Sequence, residues 1–81
     1  MNSKDKTVEL YHNKSIDPKL RANICPGLSV AIVLKKDQPT GRLTFGVIQN
    51  ILTSASYHPH GIKVRLSDGQ VGRVQAVYTP C

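Results

Sequence analysis

The 81 residues suffice for one domain with a small core and leave little room for a deep, multi-part active site. Eleven Lys and Arg against five Asp and Glu leave a net charge of +6, which draws a protein to polyanions such as nucleic acid or a ribonucleoprotein. A hydrophobic fraction of 40% and a charged fraction of 20% are ordinary for a soluble globular chain and exclude a low-complexity or fibrous class.

Residues 1–14 carry Lys4, Lys6 and Lys14, with only Val8, Leu10 and Tyr11 to pack, and read as a flexible basic arm. The opening MNSKDKTVEL lacks the apolar run of a signal peptide. No segment approaches the ~20 apolar residues of a membrane span. The expected location is the cytoplasm, without membrane attachment and as a monomer.

A single domain is expected over residues 15–78, with a tail at 79–81. A short N-terminal helix is expected over residues 17–24. Asp17 suits its N-cap and Pro18 its first position, where the missing N–H has no partner to lose. Ile16, Leu20 and Ile24 recur at a helical spacing, and Pro26-Gly27 ends the element.

From Leu28 the period changes to two. Val30, Ile32 and Leu34 share one strand face, Ala31 and Val33 the other. KKDQPTG at residues 35–41 is a turn-rich loop. A longer strand follows over residues 43–52, with Phe45, Val47 and Ile51 on one phase and Ile48 and Leu52 on the other. Gly46 inside it suggests a bulge or a bend.

Residues 53–61 form a long loop. Ile62, Val64 and Leu66 then alternate inward against Lys63 and Arg65 outward. Asp68-Gly69 suits the positive φ angles of a two-residue hairpin turn. The return strand, residues 71–78, places Arg73 outward and packs Val74 and Ala76. The expected core is Val30, Ile32, Val33, Phe45, Val47, Ile48, Ile62, Val64, Leu66 and Val74.

The fold class is mainly β, a small bent sheet of four to five antiparallel strands whose closure into a barrel protects its edges. The order of Pro26-Gly27, Gly41, Gly46-Val47, the strand at 63–66 and Asp68-Gly69 resembles SH3-like barrels of the KOW type. Longer strings carry a closer likeness: IVLKKDQPTG at 32–41, ILTSASYHPHGIKVRL at 51–66 and GQVGRV at 69–74. Through them residues 26–75 resemble the YwbE family of small bacterial proteins. The resemblance supports the fold and assigns no activity.

The chemistry favours nucleic-acid binding. Lys63 and Arg65 leave the same sheet face, and Arg73 on the neighbouring strand can join them. Lys35, Lys36 and Arg42 cluster around the first turn. Spaced cations suit a phosphate path, and Tyr57, His58, His60 and Tyr78 offer rings for stacking. The bland alternative is a solvated strand face, and the runner-up function is a protein-interaction module for an acidic or ribonucleoprotein partner.

No metal or other cofactor is expected. His58 and His60, even with Cys25 or Cys81, lack the paired ligand spacings of a zinc site. No enzyme activity is expected either. Asp68 is explained by its turn and Asp37 by its loop, and nothing pairs Ser54, Ser56 or Cys25 with a base. Cys25 and Cys81 read as free thiols of a reducing cytosol, the alternative being a bridge at one end of the barrel. Histidine titrates near ~6.5, so these rings predict tighter polyanion binding at about pH 6 than at about pH 8.

Overall fold

Four strands, β1 (Ser29–Leu34), β2 (Thr44–Ile51), β3 (Lys63–Leu66) and β4 (Val71–Val77), run as an antiparallel meander, and β4 returns to pair with β1. The computed structural model describes residues 16–81; the arm expected over residues 1–14 lies outside them. The result is a closed barrel in which every strand has two neighbours, so no edge is left open to other chains. Register shifts at Ala31/Ile32 and between Ile48 and Asn50 bend the strands enough for four to close. Among the described residues, no helix is long and apolar enough to cross a membrane.

The core follows from alternation. Val30 and Ile32, Ile48, Val64 and Leu66, and Val74 and Val77 point inward from the four strands, and Ile24, Leu28 and Ile62 close the ends. Each fully buried Val, Leu or Ile contributes ~1.5–3 kcal/mol. No buried side chain among the described residues is polar.

Four expectations need correction. The segment expected as a helix over 17–24 is instead a turn at Pro18–Lys19, a bridge residue at Leu20 and one 3-10 turn at Arg21–Asn23. Asp17 does cap, but it caps a turn: its carboxylate accepts the Lys19 N–H at 2.8 Å, and its carbonyl accepts the Leu20 N–H. The backbone then pairs with the later loop, through Arg21 N–H to Ser56 O, His58 N–H to Lys19 O and Ile62 N–H to Pro18 O. Those long-range bonds take the groups a helix would have used, and local propensity yields to them.

Strand β2 has the opposite phase to the one its apolar pattern suggests. Thr44 stands opposite the inward Ile32 and Phe45 opposite Ala31, so Phe45 and Val47 face out. Gly46 takes the inward place because the Leu66 side chain fills it; a Cβ there would lie 2.7 Å from Leu66 Cδ1. The bulge comes three residues after Phe45, not at Gly46, and brings Ile48 and Ile51 both to the core side. A four-stranded interior is too narrow for a phenylalanine besides these residues. Val33 is likewise half-buried, not core.

The hairpin loop has three residues, not two. Gly69 N–H bonds to Leu66 O, Leu66 N–H bonds to Gln70 O, and only Gly69 has a positive φ, +93°. That is a turn followed by a left-handed glycine bulge. Finally, Cys25 and Cys81 are not free: they form a disulfide, with Cα atoms 5.9 Å apart, which ties the C-terminal tail to the segment before β1.

Candidate functional site

Lys63 and Arg73 are direct cross-strand partners on β3 and β4, so both side chains leave the same outer face. Lys63 is exposed, while Arg73 is half-buried and donates from Nη1 to the Gly61 carbonyl at 3.1 Å. Arg65 lies two residues along, opposite Val71, with Nη1 3.5 Å from Asn50 Oδ1.

The loop over residues 52–62 is held down at several points. Leu52 N–H bonds to Lys63 O, and Lys63 N–H bonds to Thr53 Oγ1 at 2.7 Å. Its far end is a tight turn in which Gly61 N–H bonds to His58 O. His60 N–H donates to His58 Nδ1 at 3.1 Å, and the two rings lie 5.8 Å apart. Gln75 reaches from β4 to the His60 carbonyl at 3.1 Å. Gly61, with φ +101°, lies against the Val74 carbonyl where no Cβ could fit. The glycine lets the histidine turn press onto the barrel.

Between this turn, the end of β1 and the N-terminal segment lies a cleft of about 600 Å³, lined by Pro18, Lys19, Val33, Gln38, His60, Gly61, Arg73 and Gln75 among others. Its charged lining groups are cations. Burial, then Arg73, then His60 push the His58 pKa below the ordinary histidine value. Acceptance of the His60 N–H at Nδ1 works the same way, since a protonated ring has no lone pair to offer.

Arg73 stands opposite Lys63 and acts on His58, whose ring lies 5.8 Å from that of His60. Lys35 and Lys36 sit exposed in a 3-10 turn after β1, and Arg42 is exposed before β2. Their loop borders the cleft through Gln38. Tyr57 pairs its backbone with Leu20 and keeps its ring half exposed. Tyr78 stacks on Phe45, away from the histidine turn. Lys19, Gln38 and Gln75 were not legible as site residues, because only the tertiary pairing of residues 18–21 brings the first strand end and the loop together.

The family model described as "Uncharacterized conserved protein (DUF2196)" matches residues 17–77. The chain belongs to that family. The "Uncharacterized protein YwbE" of Bacillus subtilis (strain 168) is 58% identical over 57 residues, covering 70% of this chain and 88% of the relative. No solved structure matches this chain. The DUF2196 span holds all four strands, the histidine turn and every residue lining the cleft, whereas Tyr78 and Cys81 lie beyond it.

Proposed function

We propose that this chain is a non-enzymatic nucleic-acid-binding module, with RNA as its ligand, on a small barrel of the SH3-like, KOW type. The observation that carries the reading is the in-register pair Lys63–Arg73 beside the cleft. Like charges placed directly opposite on a sheet repel. An anionic backbone crossing that face relieves the repulsion and releases its own counterions.

Two of the acids support the same reading. Asp17 and Asp68 spend their carboxylates on the N–H groups of Lys19 and Gln70, within their own turns. They do not neutralise Lys63, Arg65 or Arg73. His58 commits Nδ1 to the His60 amide, which argues for a structural ring at that position over a general base. A cytoplasmic location completes the proposal.

The test is a titration of the full chain with single-stranded RNA at low and moderate salt. Phosphate contacts predict log affinity falling by ~0.7 per log unit of salt for each cation engaged. Absence of binding at low salt would sink the proposal. A stoichiometric protein partner that survives nuclease treatment, with no direct RNA binding, would favour the protein-interaction reading.

A further inference from the structure

The outer face of β1 connects the cleft to a pair of stacked rings. Val33 lines the cleft and stands opposite Arg73. Two residues back on the same face, Ala31 lies between Phe45 of β2 and Ala76 of β4. Ser29 comes next, opposite Val47, and its carbonyl accepts the Tyr78 N–H. With only Ser29 and Ala31 on the strand between them, Phe45 and Tyr78 reach across β1. Their centroids are 6.2 Å apart and their planes 29° apart.

Phe45 remains 65% exposed and Tyr78 40%. Phe45 is the only phenylalanine of the chain, and the fold sets it on the surface with Val47 beside it. From the ring pair to Arg73 is two strand spacings and one step of two residues, roughly 12 Å by standard sheet dimensions. A few nucleotides cover that distance.

We infer that the Phe45–Tyr78 face takes unpaired bases while Lys63 and Arg73 hold the adjoining phosphates, which makes the ligand single-stranded. This rests on the nucleic-acid reading above and narrows it. A duplex stacks its bases on one another and leaves their faces closed to a protein ring. A single strand offers them, and a ring platform beside a basic groove is how such strands are held without sequence selection. Arg73, two strand spacings from Phe45, and Lys63 opposite it favour this occupant over an apolar protein segment, because an anionic backbone would reach them from the rings.

The experiment titrates the full chain with a single-stranded RNA of about a dozen nucleotides. The RNA carries 2-aminopurine, and the same sequence is tested as a duplex. The single strand is expected to bind more tightly than the duplex, with the fluorophore quenched by stacking. Phe45→Ala should weaken binding about 5- to 150-fold and leave the salt slope unchanged. Phe45→Leu keeps apolar bulk without a ring and should behave like Phe45→Ala, whereas Phe45→Trp should bind like the native chain. Thermal melts confirm that each variant is folded. If Phe45→Ala and Phe45→Leu bind as the native chain does, with the salt dependence intact, the platform is wrong and the cation reading stands. Equal affinity for duplex and single strand overturns the single-strand assignment. No binding by the native chain overturns both readings.

Discussion

Lys63 and Arg73 occupy one register position on β3 and β4, two cations directly opposite each other. Such pairs destabilise a sheet. Arg73 is anchored to the Gly61 carbonyl, so Lys63 is the partner that can be removed cleanly. Lys63→Gln should therefore leave stability unchanged or raise it by up to ~0.5 kcal/mol, while weakening RNA binding. Urea unfolding of the variant measures this. A loss above about 1 kcal/mol would show that Lys63 serves the fold.

Gly61 and Gly69 both have positive φ, but their surroundings differ. Gly69 faces open space, whereas a Cβ on Gly61 would collide with the Val74 carbonyl. Gly69→Ala should cost about 1–2 kcal/mol, the left-handed penalty alone. Gly61→Ala should cost clearly more, roughly 3 kcal/mol or above, because the backbone must also move. Parallel denaturant titrations check the order. Equal costs would mean that the histidine turn is not pinned to β4.

Acidification acts through His58. Its folded pKa lies below the 6.5 of a free histidine, through burial, Arg73 and His60. As pH falls through 6.5 the unfolded chain takes up a proton before the folded one does, so stability falls and then levels off below the folded pKa. His58→Gln should flatten that part of the curve. The gain in polyanion affinity from His58 should begin below 6.5, later than for an ordinary histidine. NMR titration of the ring reads both. Asp68, held below its ordinary pKa by the backbone and side-chain N–H groups of Gln70, stabilises the hairpin above that ordinary value. Its contribution is lost at more acid pH, as it titrates through the lowered folded pKa.

The Cys25–Cys81 bond closes a sequence separation of 56 residues. Constraining a loop of that size in the unfolded chain contributes roughly 2–4 kcal/mol. Reduction should lower the denaturation midpoint accordingly and leave the barrel folded, because four backbone ladders close it without the bond. An unchanged midpoint after complete reduction would contradict the assigned contribution.

The strands of the barrel were legible where one face alone is apolar. Ile62, Val64 and Leu66 against Lys63 and Arg65 leave one register open, and β3 adopts it. β2 was not legible, because Phe45 and Val47 look like core and Gly46 looks like a gap. Only the narrow interior and the Leu66 side chain invert that phase. The N-terminal segment misled for a related reason. Asp17-Pro18 reads as a helix start, and the groups that unwind it, at Ser56, His58 and Ile62, lie far along the chain. In the candidate site, alternation put Lys63, Arg65 and Arg73 outward on neighbouring strands, but the direct Lys63–Arg73 register depends on the three-residue loop at 67–69. The cleft and the Phe45–Tyr78 pair needed the closure of β4 on β1, which no local pattern announces.

The most direct test of the account is chemical-shift mapping of the isotope-labelled chain during titration with single-stranded RNA. Shifts should concentrate at Lys63, Arg73 and the turn of His58 to Gly61, and continue along β1 to Phe45. Shifts that leave Lys63, Arg73 and the turn of His58 to Gly61 unmoved, or none at saturating RNA, would contradict it.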